Sequence, residues 1–183
     1  MSASNQFALL GTRRFAPFFW TQALGAFNDN VFRYATLVLV AFQMGLPREE
    51  VTFYSNLAPA LFILPFFLFS ASAGQLAEKY DKARITRYVK LFEIAAMALA
   101  AWGFHTHDAT LLLGVLFLMG LHSTLFGPIK YAILPQALEA AELVGGNGMV
   151  EMGTSLAILL GMVLGGSLMA ASGSGPTLAS LAV

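Results

Sequence analysis

Five long apolar segments constrain the fold of this 183-residue chain more than any other feature of its sequence. Each is close to the roughly 20 residues that an α-helix needs to cross the hydrocarbon core of a bilayer. Lipid cannot hydrogen-bond to backbone groups, so segments of this kind are expected to be helices that satisfy those groups internally. By approximate residue range, the segments are 15–44, 52–73, 85–105, 109–126 and 148–171.

The composition also indicates an integral membrane protein. Hydrophobic residues make up 57% of the chain and charged residues 11%, whereas a soluble domain carries about 25% charged residues. The net charge of zero gives no indication of a nucleic-acid partner. The chain has no cysteine, which excludes disulfides and thiolate metal sites. We therefore predict an all-α, polytopic transmembrane helix bundle.

Basic residues are distributed unevenly between the two ends of these segments. If the N-terminus is cytoplasmic, eight basic residues fall on the cytoplasmic side and only Arg48 on the other, which fits the positive-inside rule. The eight are Arg13, Arg14, Lys79, Lys82, Arg84, Arg87, Lys90 and Lys130. The asymmetry predicts a multi-pass protein with a cytoplasmic N-terminus.

A sixth apolar run begins near residue 177, after a segment whose Ser, Gly and Pro content is typical of a loop. Its seven residues are too few to cross a bilayer. We therefore expect the chain to be a fragment whose sixth helix is cut short.

The first apolar segment contains a polar turn, Phe27-Asn28-Asp29-Asn30, followed by Arg33. The position of Asp29 near the middle of the segment places it close to the membrane midplane. There a charge costs about 2.5–3.5 kcal/mol on insertion scales, and such residues usually mark substrate pathways. Arg33 lies one helical turn away, so the two side chains are expected to pair. The alternative is that they only neutralise each other or hold helices together.

The connection between the second and third segments, residues 74–84, resembles motif A of the major facilitator superfamily. Gly74, Leu76 and Ala77 match that motif, and the connection lies after the second span, as in the family. Glu78 replaces the family's Asp, Lys79 replaces its Arg, and Asp81 replaces its second Gly. The resemblance implies a gating motif, for which we select Gly74, Glu78, Lys79, Arg84 and, from the fifth segment, Glu151. A solvated basic loop and a snorkelling carboxylate are the alternatives.

A second resemblance extends over essentially the whole chain. The polar turn at 27–30, the segment 126–135 and the segment 142–148 together resemble the lysophospholipid transporter branch of the superfamily. Gly127, Pro128 and Lys130 are the candidate loop motif after the fourth helix. The resemblance covers about five of twelve helices, hence a partial N-terminal half of a major facilitator fold. Some members of this branch are fused to acyltransferase and acyl-carrier-protein ligase domains, but no such motif is present here.

The resemblance implies a function in which lysophospholipid moves across the bacterial inner membrane for re-acylation. Asn28, Asp29, Asn30 and Arg33 would line the central cavity, with Asp29 against an ammonium group and Arg33 against a phosphate. The implied partners are membrane lipid, the lysophospholipid, and either the missing C-terminal helices or fused acyltransferase domains. No cofactor or metal is expected.

Three alternatives remain open at this point. The chain is a major facilitator transporter of a drug or sugar, a truncated membrane fragment that does not transport, or a membrane acyltransferase. The last would need a His-x-x-x-x-Asp dyad, and none of the three histidines has Asp at that spacing. We therefore predict no enzymatic activity. His122 is read as a helix–helix hydrogen bond or a proton relay.

Small residues recur at four-residue spacing in the fifth segment, at Ala157, Gly161 and Gly165. One face of this helix is therefore nearly bare of side chains. Such a face predicts close packing against another helix.

Overall fold

The computed structural model describes residues 6–171, and these form an all-α bundle without a strand. The predicted fold class is therefore confirmed, while the expected start of a sixth helix lies outside the described residues. A short 3-10 helix comes first, and the first long helix ends in a π-helical turn. In order, the elements are the 3-10 helix Gln6–Gly11, α1 Ala16–Val38, the π-helical turn Leu39–Gln43, α2 Arg48–Lys79, α3 Lys82–Thr106, α4 Ala109–Ala137 and α5 Leu143–Ala171.

Three of these helices, α2, α4 and α5, are individually long and apolar enough to cross a membrane. The other two are long enough but not among the helices apolar enough to qualify: α1 contains the polar turn with Asp29 and also Arg33, and α3 contains five charged residues. Charged residues inside spans are tolerated when they face other helices or a polar cavity. The prediction of five spans thus depends on where the α1 and α3 charges lie.

The connections from α2 to α3 and from α3 to α4 are short, and each ends in an aspartate that caps the helix that follows. Asp81 is the N-cap of α3 and accepts a hydrogen bond from the Arg84 backbone N–H at 2.8 Å. Asp108 caps α4 in the same way through Leu111, at 3.0 Å. Capping carboxylates satisfy backbone N–H groups that have no partner within the helix. Asp81, which departs from motif A, therefore has a structural role in starting α3.

The glycine stripe of α5 packs directly against α1, as the sequence predicted. A Cβ built on Gly161 would lie 2.6 Å from the Phe27 carbonyl oxygen, and one on Gly165 would overlap the backbone of Val31. Only hydrogen at these two positions lets the helix backbones approach so closely. A second close contact joins α4 to α2, where Gly120 lies against the Phe62 backbone.

The structure corrects the predicted end of the fourth helix. Residues 127–130 are not a loop, because α4 continues to Ala137 through both Pro128 and Pro135. Buried residues recur at helical spacing along this stretch, at Phe126, Ile129 and Leu134. Their packing keeps the segment helical despite the prolines.

Candidate functional site

Asp29 lies on the wall of a cavity of 280 Å³ inside the bundle. Its Oδ2 accepts a hydrogen bond from Ser123 Oγ of α4 at 2.9 Å. Its Oδ1 is buried and has no hydrogen-bond partner among residues 6–171. A buried carboxylate oxygen without a donor is costly, so this atom is a candidate ligand-binding position.

The predicted ion pair between Asp29 and Arg33 is not formed. No nitrogen of Arg33 comes within 4.0 Å of the Asp29 carboxylate; instead the guanidinium lies over the Phe62 ring of α2, 4.0 Å from its centroid. Arg33 Nε is buried and makes no hydrogen bond within the described part of the chain. Neighbouring helices offer each group a partner of its own, so the local i,i+4 spacing does not decide the pairing.

The two asparagines of the polar turn face away from the Asp29 cavity. Asn30 is buried against Gly161 of α5, and its Nδ2 donates to the Ala26 carbonyl at 2.8 Å. Asn28 Nδ2 donates to Glu93 Oε1 of α3 at 3.3 Å. Successive residues of an α-helix point about 100° apart, so residues 28, 29 and 30 contact three different helices. Of these three residues, only Asp29 lines the 280 Å³ cavity of the described bundle.

Glu93 links three helices next to this cavity. Its carboxylate accepts from Asn28 of α1 and from Lys90 Nζ of α3, the latter at 2.6 Å, and its Oε2 lies 3.1 Å from His122 Nε2 of α4. Glu93 is not among the site residues that the sequence predicted. The i,i+3 spacing of Lys90 and Glu93 was the one available signal, and it does not identify His122 as the third member.

Lys90 reaches the interior because Gly25 leaves space for it. A Cβ built on Gly25 would lie 2.7 Å from Lys90 Nζ, which also lies 4.8 Å from the centroid of the Phe126 ring. Lys90 is one of the basic residues that the sequence assigns to the cytoplasmic side, and in the structure it lines the Asp29 cavity.

The candidate loop motif contributes a second lysine to the same cavity. Gly127 and Lys130 line it from α4, and Lys130 is only 8% exposed. Lys130 Nζ lies 3.0 Å from Glu151 Oε1 of α5 and 4.6 Å from the centroid of the Tyr131 ring. Glu151, which the sequence assigned to the gating motif, therefore pairs with Lys130, and no ion pair joins it to Lys79 or Arg84 within residues 6–171.

The other members of the gating motif lie at the surface of the described bundle. A Cβ built on Gly74 would meet no atom within 4 Å. Glu78, Lys79 and Arg84 are exposed, and none of them forms an ion pair within residues 6–171. Their gating role stays a prediction.

The cavity combines charge of both signs with aromatic walls. One carboxylate, Asp29, and two ammonium groups, Lys90 and Lys130, line it beside Phe66 and Phe126. A neighbouring cleft of 630 Å³ between α1 and α3 is lined mainly by apolar side chains and shares Gly25 and Lys90 with the cavity. A polar chamber next to an apolar cleft suits a ligand that has a charged head and a hydrocarbon tail.

Comparison with known proteins gives evidence on the family of the chain that does not depend on the geometry of the cavity. Residues 55–183 match a major facilitator family model described as "Transmembrane secretion effector". The lysophospholipid transporter LplT of Enterobacter sp. (strain 638) is 30% identical over 151 residues, which cover 80% of this chain and 34% of that relative. The protein of the same name in Escherichia fergusonii is 32% identical over 147 residues, with the same coverage. The chain thus spans about a third of the length of these relatives. No solved structure matches the chain significantly.

Proposed function

The chain belongs to the major facilitator superfamily, and from that premise we propose that the protein moves lysophospholipid across the bacterial inner membrane, where re-acylation follows. Similar proteins that cover 80% of the chain are named lysophospholipid transporters. Those relatives are transporters rather than enzymes by name, so we assign no catalytic role to the residues of the cavity.

The observation that carries the proposal is the Asp29 carboxylate. One of its oxygens is held by Ser123, and the other is buried without a donor within the described residues. An ammonium group that entered the cavity would provide the missing hydrogen bond and neutralise the charge. The carboxylate is therefore suited to hold the cationic part of a zwitterionic headgroup.

The phosphate of such a headgroup would meet the cations around Asp29. Arg33 lies one turn further along α1, where its buried Nε has no hydrogen-bond partner among residues 6–171, and a guanidinium binds phosphate well because its donors form a fork. Lys90 and Lys130 line the same cavity. The acyl chain would remain against apolar helix faces, such as those of the cleft between α1 and α3. Asn28 would contribute to the site only through its hydrogen bond to Glu93, and Asn30 only through its packing against α5.

Topology and gating complete the proposal. A cytoplasmic N-terminus places the basic residues near the start of α1, the end of α2 and the start of α3 on the cytoplasmic side. Gly74, Glu78, Lys79 and Arg84 would then form the cytoplasmic gate with parts of the transporter beyond the described bundle.

The test is uptake of radiolabelled lysophosphatidylethanolamine by bacterial spheroplasts that express the protein from its complete reading frame. Asp29→Asn should reduce uptake by about tenfold or more, since a hydrogen bond to a charged group contributes roughly 1.5–3 kcal/mol. Glu50→Gln, which neutralises an exposed carboxylate at the start of α2, should leave uptake unchanged. Normal uptake by a well-folded Asp29→Asn variant would remove Asp29 from the site, and absence of lysophospholipid uptake by the wild type would refute the function.

A further inference from the structure

The segment before α1 forms a strap across one end of the bundle, and the transport proposal does not use it. The strap consists of residues 6–14 and contains the 3-10 helix Gln6–Gly11. Leu9 is 5% exposed. Arg14 reaches across to the turn between α4 and α5, where its Nη2 lies 2.6 Å from Glu142 Oε1. The strap therefore joins the start of α1 to the α4–α5 turn.

Two glycines at the start of α5 form the seat of the strap. A Cβ built on Gly145 would lie 3.1 Å from the Cβ of Gln6, and one on Gly146 would overlap the side chain of Leu138. A larger residue at Gly145 would therefore push the strap away from α5. Residues 142–148, which carried part of the family resemblance, thus provide a docking surface for the strap.

The strap also belongs to an apolar layer that closes the 280 Å³ cavity at this end of the bundle. The cavity is lined by Gln22 of α1 and by Tyr131 of α4. One helical turn beyond these residues, Phe19 and Leu134 belong to a cluster of buried apolar side chains. Leu9 of the strap is a member of the same cluster. The layer is therefore complete only while the strap is docked.

The attachments of the strap are weaker than the contacts between the helices. The backbones of α1 and α5 meet directly at Gly161 and Gly165, whereas Leu9 is the one buried residue within residues 6–14. The Arg14 side chain is 41% exposed, and exposed ion pairs contribute little to stability because water and salt screen them. Segments with few buried contacts open locally while the rest of the protein stays folded. The strap can thus be released without unfolding the bundle.

We infer that residues 6–14 are a releasable latch. While the strap is docked on Gly145, it closes the cavity at the end of the bundle that carries the N-terminus, and its release opens the cavity there. Release removes Leu9 from the apolar layer and separates Arg14 from the α4–α5 turn. The inference goes beyond the proposed function, because it concerns access to the cavity and does not depend on which ligand is transported.

Access to the cavity is measured with a cysteine reporter, because residues 1–183 contain no native cysteine. Ala26→Cys places a thiol in the cavity wall. The protein is expressed from its complete reading frame, with any other cysteine replaced by serine. The rate of reaction with a membrane-impermeant maleimide, applied from the side of the N-terminus, reports how often this end is open.

Two neighbouring glycines provide the test and its matched control. Gly145→Leu should raise the labelling rate about fivefold or more, because the added side chain overpacks the seat of the strap. Gly148→Leu adds the same side chain at a position where a Cβ would meet no atom within 4 Å. This control should leave the labelling rate unchanged.

A reversible cross-link tests the latch in the opposite direction. In the double variant Gln6→Cys and Gly145→Cys, a small shift brings the two Cβ atoms to the distance of about 3.5–4.5 Å that a disulfide needs. Oxidation should lower uptake of lysophosphatidylethanolamine by about tenfold or more, since a locked strap removes the open state. Reduction should restore uptake, and the two single-cysteine variants should transport normally under the same oxidation.

The outcomes separate the latch from the proposed function. Equal labelling rates in Gly145→Leu and Gly148→Leu, or normal uptake by the cross-linked protein, would overturn the inference while the transport function stands. If the wild type transports no lysophospholipid, the proposed function fails and the labelling rates alone decide on the latch. Should Gly145→Leu not fold, Leu9→Ala takes its place: it should also raise the labelling rate, and an unchanged rate would overturn the inference.

Discussion

Asp29 and Arg33 lie one turn apart on α1, yet each contacts a different neighbouring helix. Asp29 accepts a hydrogen bond from Ser123 of α4, and the Arg33 guanidinium stacks on Phe62 of α2. Each side chain also keeps one buried polar atom that is unpaired within residues 6–171. Asp29 and Arg33 thus join α1 to α4 and α2, and each leaves one buried polar atom that a ligand or another part of the transporter could pair.

The contact between Arg33 and Phe62 should be measurable as a coupling free energy. We expect a double-mutant cycle with Arg33→Gln and Phe62→Leu to give about 0.5–2 kcal/mol, the range for a cation–π pair. Unfolding by denaturant in detergent micelles provides the measurement. The control is the exposed pair Lys79 and Tyr80, in which Nζ lies 5.6 Å from the ring centroid, and it should show little coupling. A similar coupling free energy for both pairs would contradict the prediction.

Ser123→Ala should weaken binding of lysophosphatidylethanolamine because Asp29 loses the hydrogen bond that orients its carboxylate. The expected loss is about 1 kcal/mol, or roughly fivefold in Kd. Ser123→Thr, which retains a hydroxyl, should bind almost normally. Equilibrium binding in nanodiscs measures these effects, with Ser155→Ala on the exposed face of α5 as the control. Unchanged affinity of Ser123→Ala would show that Asp29 needs no such support.

Gly165→Ala should destabilise the bundle while Gly166→Ala should not. A Cβ at Gly165 would overlap the Val31 backbone, whereas one at Gly166 would meet only a methyl group of Val38 at 3.9 Å. Overpacking of this kind costs about 1–3 kcal/mol. The free energies of unfolding of the two neighbouring variants in micelles provide the comparison. Equal stability would mean that α1 and α5 separate easily to admit a methyl group.

Stability should also depend on pH through Glu142, in the turn between α4 and α5. The carboxylate of Glu142 accepts a hydrogen bond from the backbone N–H of Glu139, and its Oε1 lies 2.6 Å from Arg14 Nη2. Both contacts lower the pKa of Glu142 below its ordinary value. A carboxyl whose pKa is lowered by folding stabilises the folded state above its ordinary pKa, and this contribution is lost as pH falls through the lowered pKa.

The measurement is the difference in unfolding midpoint between the wild type and Glu142→Gln. We expect the wild type to be the more stable at neutral pH and the difference to vanish in acid. Glu78→Gln, which neutralises an exposed carboxylate without an ion pair among the described residues, should show no such trend. A difference that persists at low pH would assign the effect to packing rather than charge.

Much of the fold was predictable because membrane helices follow from local properties. Hydrophobic length indicated the helices, and the spacing of Gly161 and Gly165 indicated a close helix contact. The continuation of α4 through Pro128 and Pro135 was not predictable, because it depends on the packing of Ile129 and Leu134 against other helices. Asp29 was identifiable as a candidate site residue from its charge in an apolar segment alone.

The sequence by itself determined that this is a helical membrane protein with a buried carboxylate in its first helix, since hydrophobicity and charge act residue by residue. Only the tertiary structure decided which helix each side chain meets. In the packed bundle Asn30 contacts α5 and Arg33 contacts Phe62, while Lys90 and His122 line the Asp29 cavity and Glu93 lies beside it. The reason is physical: a rotation of about 100° per residue gives neighbours in sequence different partners, and those partners are set by the packing of the whole bundle.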